Sequence, residues 1–412
     1  MSEIMEIRKK EPTDLLDLCY LFLMIITTYF TRNLLCQIVM VIFCGAVLLK
    51  GCTTSFTKKD TYYFVGTTLF ILYGYFGTVL GIAIRNKIAN TMVISLTLNL
   101  IMVFVICQYI LWKRDLNKVI RFFENAIFIT AIITIAVSRG TLFTGRLGSD
   151  TEINSNVLAM LSVYSMTLCL YLMKGSRFSW IYLLKIVVYI SIVLLSGSRK
   201  GLLMIAISIL LISVVNGRRK FIRNILISAI VLIVIYYLIM NVPVLYDIIG
   251  VRVEDLMSLV LEEKTEDGSL LTRQELIEIG WDYIKRNPWF GYGYDNFKLI
   301  SGVDGRLSGI YGLYSHNNYI ELLFGCGIIG TVLYYFPMLL ILIGLIKNLK
   351  THPCIVYLLA IFVAKHVVEY GYVSYYSRID AYVVAFVLGC LLWCKNNKVE
   401  EDVEKHKDIE SV

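Results

Sequence analysis

The second half of the chain carries two arginines and a histidine in short polar motifs. Arg199 lies in Ser-Gly-Ser-Arg-Lys-Gly, Arg273 precedes an aromatic turn, and His316 lies in Tyr-Ser-His-Asn-Asn. A guanidinium group binds phosphate through paired hydrogen bonds, and an imidazole can accept a proton near neutral pH. These residue types predict a site that binds a phosphate and removes a proton. Each residue alone has a structural alternative: an arginine extending toward lipid headgroups, a solvated helix charge or a packed histidine.

The segment around Arg273 has the pattern of an amphipathic helix. Thr272 and Glu275 have the spacing of a capping box, which predicts a helix beginning there, and Asn287-Pro288 predicts its end. An arginine in the first turn, beside backbone N–H groups that lack helical acceptors, would form an anion site. The acidic stretch 256–266 is also predicted to be helical.

An aromatic turn follows this helix. It contains Trp289, Tyr292 and Tyr294 in the sequence Pro-Trp-Phe-Gly-Tyr-Gly-Tyr. Flat aromatic faces are suited to stacking on sugar rings. A belt of aromatic residues at the membrane interface is the alternative, and the sequence favours neither.

One apolar run contains charged residues. Lys365 and Glu369 are spaced i,i+4 with His366 between them, so the lysine and the glutamate can pair on one helix face. Ionisable residues inside a membrane are costly and indicate function, and a structural ion pair is the alternative. A transporter's proton relay would require a matching network of carboxylates, and no other apolar run shows one.

The composition indicates that membrane helices position these residues. Hydrophobic residues make up 58% of the 412, and charged residues 17%, against about 45–50% and about 25% in soluble domains. A soluble enzyme, a nucleic-acid-binding protein and a disordered linker are therefore excluded. The ten cysteines lie almost entirely in apolar runs, which favours buried packing over a disulfide framework or a metal site.

About twelve apolar runs are long enough to be considered membrane spans, and the predicted fold is an all-α integral membrane protein. The runs lie near residues 15–31, 34–50, 62–83, 91–112, 119–137, 154–173, 180–196, 200–215, 222–240, 319–346, 354–372 and 379–394.

The distribution of charge predicts the orientation. The net charge is +8, and lysine and arginine concentrate in alternate connections, which are expected to be cytoplasmic. Both termini, 1–14 and 395–412, are then cytoplasmic. Nine spans within 15–240 and three within 319–394 flank one large extracytoplasmic loop, 241–318. Arg199 and His316 would share the outer face.

Four motifs carry a resemblance to a known family. They are Gly145-Arg146 with the asparagine-rich span start 154–159, Ser-Arg-Lys-Gly at 198–201, Arg273 with the Pro-x-x-Gly-x-Gly loop at 288–293, and Ser-His-Asn-Asn at 315–318. In this order and on one face, they resemble the motifs of the O-antigen ligase/polymerase family over about residues 140–335. The first five spans resemble that family only in topology, and Lys200 departs from its Ser-Arg-x-Gly turn.

The resemblance implies a GT-C-like glycosyltransferase of the Wzy polymerase or WaaL ligase type. Such an enzyme transfers a glycan from undecaprenyl pyrophosphate to an acceptor hydroxyl at the outer face of the bacterial inner (cytoplasmic) membrane. No metal or other cofactor is implied, and the anomeric centre would be inverted. By the same resemblance, His316 is the catalytic base and Arg199 and Arg273 bind the pyrophosphate. Further candidate substrate-binding residues are Arg146, Asn156, Lys200, Trp289, Tyr292, Tyr294, Asn317 and Glu369.

The acceptor distinguishes the candidate functions. We favour a polymerase for capsule or O-antigen that uses a second lipid-linked repeat unit, with a chain-length regulator protein as a candidate partner. A ligase would use a different final acceptor. Two further candidate functions are a transporter or flippase for lipid-linked oligosaccharide, and a SEDS-type peptidoglycan glycosyltransferase with Asp295 as its acidic residue. Membrane lipid is an expected partner, and nucleic acid is not.

Overall fold

The computed structural model consists of packed helices. It describes residues 12–30, 33–54, 56–57, 60–140, 145–149, 151–174, 176–216, 221–254, 268–304 and 312–410. Helices account for 79% of the chain, and the described residues contain no strand. The predicted all-α class is confirmed.

Fifteen helices are described. They are α1 (Leu15–Tyr29), α2 (Leu34–Leu49), α3 (Thr61–Val79), α4 (Asn86–Trp112), α5 (Leu116–Val137), α6 (Ser155–Met173), α7 (Ser179–Leu195), α8 (Arg199–Asn216), α9 (Phe221–Asn241), α10 (Pro243–Glu254), α11 (Gly268–Arg286), α12 (Phe297–Ser301), α13 (Asn318–Lys347), α14 (Cys354–Val368) and α15 (Arg378–Glu410).

The chain is a multi-pass membrane protein. Within the described residues, six helices are long and apolar enough to cross a bilayer: α4, α5, α6, α13, α14 with the turn that follows it, and α15. The bent pair α9–α10 would make a seventh, and α1, α2 and α7 are apolar but have 15 to 17 residues. Each of the twelve predicted runs coincides with a helix, while the number of spans stays a prediction.

A sharp bend separates α9 from α10. The two helices meet at 93° around Val242, where Pro243 cannot donate the backbone hydrogen bond that would continue α9. The sequence predicts a loop from residue 241, whereas the chain forms α10 here and buries Ile248 and Ile249. A Cβ at Gly197 would lie 2.8 Å from the carbonyl oxygen of Ile248, so α10 packs on the turn between α7 and α8.

Helix α11 begins earlier than its sequence pattern predicts. The helix includes Gly268, and the hydroxyl of Thr272 donates to the Gly268 carbonyl at 2.8 Å. Thr272 is therefore inside the helix, and the predicted capping box at Thr272 and Glu275 is wrong. Arg273 lies in the second turn, where the free N–H groups of a helix start are not available to it. The predicted end before Asn287-Pro288 is confirmed.

The aromatic turn is attached to a break in α13. Gly327 interrupts the helix with φ 60° and ψ −169°, a conformation that only glycine adopts readily. Across this break, Tyr292 N–H donates to the Phe324 carbonyl at 2.8 Å, and Gly293 N–H donates to the Gly325 carbonyl at 2.7 Å. The backbone of the turn, rather than its side chains, makes these attachments.

We expect Gly327→Ala to destabilise the protein. A Cβ there would lie 2.3 Å from the backbone of Trp289, and the backbone strain alone should lower the free energy of unfolding by about 1–3 kcal/mol. The measurement is the apparent melting temperature in detergent, followed with a thiol-reactive dye that reports exposure of the buried cysteines.

Gly77→Ala is the matched control. It lies within α3, and a Cβ there meets no atom within 4 Å. An equal loss of melting temperature in both variants would contradict the account of the break.

Candidate functional site

Six basic side chains from separate parts of the chain lie within electrostatic range of one another. They are Arg146, Arg199, Lys200, Arg252, Arg273 and His316. We call this group the basic cluster. Its members come from the α5–α6 connection, the start of α8, α10, α11 and the residues before α13. All six are half-buried, so each is partly shielded from water while part of its surface stays accessible.

Arg146 shows the electrostatic effect of this grouping. Burial, followed by repulsion from Arg252, Arg199 and Arg273, lowers the pKa of the Arg146 guanidinium to about 10. Burial and neighbouring positive charges both disfavour the charged form. An anion bound among these groups would relieve the repulsion.

Hydrogen bonds fix the orientation of Arg146. Its Nε donates to the Ser196 carbonyl at 2.8 Å, and its terminal nitrogen donates to Oδ1 of Asn156 at 3.1 Å. The hydroxyl of Ser198 donates to the same Asn156 oxygen at 3.0 Å. Asn156 therefore connects the motif that contains Arg146 with the Ser-Arg-Lys-Gly motif at 198–201. Asn154 caps α6 by accepting from the Asn156 N–H, which fixes this position.

The two cations at the start of α8 are held differently. Arg199 Nη1 donates to the Arg252 carbonyl at 3.1 Å, which connects α8 to α10. The Lys200 ammonium lies 5.1 Å from the centre of the Tyr372 ring, a cation–π distance. Gly371 leaves room for the Lys200 side chain, because a Cβ at position 371 would lie 2.9 Å from the lysine Cε.

His316 occupies a strained turn before α13. Its φ is 53°, in the left-handed region that non-glycine residues rarely adopt. Ser315 Oγ donates to the Asn317 carbonyl at 2.7 Å, and Asn317 caps α13 by accepting from the N–H groups of Tyr319 and Ile320. The predicted candidate Asn317 is thus a cap that holds the histidine turn.

The environment of His316 favours a neutral imidazole. Burial, together with the charges of Arg273 and Lys200, lowers its pKa to about 4. Its ring packs on Tyr314 with the ring centres 4.0 Å apart. A neutral imidazole has a nitrogen lone pair that can accept a proton.

A buried polar network lies next to the His316 turn. The predicted pair is confirmed, since Lys365 Nζ lies 2.5 Å from Oε1 of Glu369. Ser374 Oγ donates to the same carboxylate at 2.6 Å, and Tyr335 OH donates at 3.1 Å. Asn318 Nδ2 lies 3.5 Å from Oε2 of Glu369.

The carbonyl oxygen of the Asn318 side chain accepts from the N–H groups of Ser374 and Tyr375 at 2.9 and 3.0 Å. Through Asn318, which directly follows the His316 turn, the ion pair is therefore connected to the segment that carries Tyr372. Glu369 is completely buried, and these contacts give it a positioning role. The ring of His366 packs against the ring of Phe362, and its Nδ1 lies 2.8 Å from the Phe362 carbonyl oxygen.

The three aromatic candidates have different surroundings. Trp289 is 58% exposed, whereas Tyr294 is 2% exposed and donates its hydroxyl to the Phe70 carbonyl at 2.6 Å. Tyr292 stacks on Phe324 with ring centres 4.9 Å apart. The two tyrosines pack the turn onto its neighbours, and Trp289 presents a free aromatic surface.

Sequence reasoning missed Arg252 and Tyr372. Arg252 lies between apolar residues within a segment predicted to be a loop, and Tyr372 is one of 28 tyrosines, so neither had a local signal. Asp295 pairs with Lys298 at 2.5 Å. The acidic stretch 256–266 lies outside the described residues.

Three metal-ligand side chains also meet at the other end of the helices. Sγ of Cys354 lies 3.0 Å from Nδ1 of His352 and 3.6 Å from Sγ of Cys394. Both cysteines are buried, as the sequence predicts for packing residues. The approach of Cys394 to His352 and Cys354 could not be read from the sequence, because Cys394 lies 40 residues after Cys354.

The fold and the cluster define a multi-pass membrane protein with a half-buried basic site. Residues 184–335 match the family model of the O-antigen ligases, which confirms the resemblance to the O-antigen ligase/polymerase family over that part of the chain. The matched part includes most of α7, the whole of α8 to α12, the His316 turn and the first half of α13. It supports O-antigen-related glycan transfer that uses lipid-linked oligosaccharides. No curated protein matches the chain.

We expect His316 to stay neutral down to about pH 5 in the free protein. Histidine-selective ¹⁵N NMR would follow its titration, with the signal assigned by its loss in His316→Gln. Removing a nearby positive charge makes protonation easier, so Arg273→Gln should raise the pKa above about 4 and toward the unperturbed value of about 6.5. A His316 pKa near 6.5 in the unaltered protein, or a fall in the variant, would refute this description.

Proposed function

We propose that the protein is a polysaccharide polymerase that transfers a glycan from undecaprenyl pyrophosphate to a hydroxyl of another lipid-linked repeat unit. The observation that carries this proposal is a group of five cations, two of which, Arg273 and Lys200, lie close enough to His316 to lower its pKa and keep it neutral. The cations suit a pyrophosphate leaving group, and the neutral imidazole suits a hydroxyl nucleophile. The family match over residues 184–335 supports the same chemistry.

In the proposed reaction, Arg199 and Arg273 bind the pyrophosphate, and Arg146, Lys200 and Arg252 add positive charge. The bond between the anomeric carbon and the pyrophosphate oxygen breaks, and negative charge develops on that oxygen. Cations fixed in a partly dehydrated site stabilise such charge more than water does. Because backbone carbonyls orient Arg146 and Arg199, and Asn156 also holds Arg146, these two cations need little reorganisation during the reaction.

His316 would take the proton from the acceptor hydroxyl as its oxygen attacks the anomeric carbon. The new carbon–oxygen bond forms on the face opposite the departing pyrophosphate, so the configuration inverts. A positioned base typically contributes about 10²–10⁴-fold to the rate. The reaction as proposed requires no metal or organic cofactor, and Trp289 is the candidate for stacking on a sugar ring.

The site would face the extracytoplasmic side of the bacterial cytoplasmic membrane, with both termini in the cytoplasm. This orientation rests on the distribution of lysine and arginine. The basic cluster gathers at one end of α7 and α8, an arrangement that suits an enzyme at one membrane face better than a passage for a transporter.

The second candidate function is a ligase. The family model that matches residues 184–335 is described as that of the O-antigen ligases, and it fits a ligase as well as a polymerase. A ligase would use the same donor and the same basic cluster and would transfer the finished glycan once, to a different final acceptor. A polymerase adds repeat units successively, so the products distinguish the two.

The decisive experiment uses purified full-length protein in lipid discs with a synthetic undecaprenyl-pyrophosphate repeat unit. We expect a ladder of products. We also expect the rate to fall by about 10²–10⁴-fold in His316→Ala and by about 10²–10³-fold in Arg199→Ala. The readout is the initial rate of chain extension on a gel.

Arg286→Ala is the control for loss of a cation. Arg286 is exposed at the end of α11 and packs on Tyr283, so extension should be unchanged. Full laddering in both active-site variants would reject the proposed roles. A single transfer to a different acceptor, without a ladder, would identify a ligase.

A further inference from the structure

A basic cavity lies at the end of the helices opposite the basic cluster. It has a volume of about 1020 Å³ and is lined by the start of α5, the end of α6, the start of α7 and the residues before α14. Helix α6 begins beside Arg146 and ends at this cavity, and α7 returns from the cavity to Ser196. The cavity is therefore separate from the basic cluster by the length of these helices.

The polar part of the cavity carries positive charge. Arg121, Lys174, Arg177 and Lys185 line it, and no described lining residue is acidic. Two acidic residues lie just outside the lining: Glu124 accepts from Lys185 at 2.7 Å, and Asp115 lies 3.5 Å from Arg121. Lys174 and Arg177 therefore supply most of the positive charge that faces the cavity. Lys174 and Arg177 are exposed at the α6–α7 connection. The charge suits an anionic group held close to the membrane surface.

The remaining walls are apolar. Leu172, Phe178 and Ile181 line the cavity. Beyond Ile181, helix α7 continues with exposed apolar side chains, including Leu184, which is 58% exposed, and Val187, which is 53% exposed. A small soluble anion would contact only the cations. A ligand with a phosphate and hydrocarbon chains would contact both surfaces.

We infer that this cavity binds an anionic phospholipid of the bilayer. Its phosphate lies among Arg121, Lys174 and Arg177, and its acyl chains lie along the exposed face of α7. The lysine and arginine distribution places this end on the cytoplasmic side, where basic pockets between membrane helices bind anionic headgroups. The inference does not depend on the proposed glycosyl transfer, because the two sites use different residues.

The test is native mass spectrometry of the full-length protein taken from discs of phosphatidylcholine with increasing phosphatidylglycerol. We expect at least one phosphatidylglycerol to be retained preferentially. The double variant Lys174→Ala/Arg177→Ala should bind phosphatidylglycerol about 30-fold more weakly, because it lacks two cations that attract anionic headgroups near the membrane surface. Both residues are exposed, and an unchanged melting temperature in phosphatidylcholine discs would show that the variant is folded.

Lys50→Ala/Arg223→Ala is the matched control. It removes two exposed cations that are predicted to be cytoplasmic and lie outside the cavity, so retention should persist. Equal loss in both double variants would overturn the site, as would retention of phosphatidylcholine equal to that of phosphatidylglycerol. Full displacement by glycerol 3-phosphate at equal concentration would identify a site for a soluble anion and reject the lipid.

Discussion

Repulsion between like charges is the constraint on which the arrangement of this protein depends. Arg146, Lys200 and Arg273 are brought together although each disfavours the charge of the others. The helices that carry them must supply the opposing free energy. They do so through backbone carbonyls that accept from Arg146 and Arg199 and through packing at glycine positions where a side chain would not fit. A bound anion, as proposed, would relieve this repulsion.

The buried pair of Lys365 and Glu369 contributes to this arrangement from a distance. Ion pairs in an apolar interior require several further hydrogen bonds to offset the loss of water, and the Glu369 carboxylate receives them from Ser374 and Tyr335. Because Asn318 belongs to the same network, the geometry of the histidine turn depends on a charge pair within the helical core. An intramembrane charge can therefore serve an enzyme without moving protons.

Helix positions could be predicted because apolar runs are local properties of the sequence. The cations Arg199 and Arg273 and His316 could be selected because their motifs are local too. How the fold brings these residues together could not be predicted. Helix α10 begins at a proline in a segment that the sequence predicts to be a loop, and Arg252 carries no motif. The capping pattern at Thr272 failed because the helix already includes Gly268, four residues earlier. Tyr294 lies in the same aromatic turn as Trp289, and only the approach of α3 distinguishes them, since a Cβ at Gly74 would overlap the tyrosine ring.

The attachment of the aromatic turn to α13 has an evolutionary consequence. Backbone hydrogen bonds from Tyr292 and Gly293 hold the turn, while the exposed side chains of Trp289 and Phe290 take no part in those bonds. Substitutions at these two exposed positions can therefore accumulate without moving the frame. If Trp289 stacks on a sugar ring, as proposed, recognition of the glycan can change through these side chains while the glycines and the basic cluster stay intact.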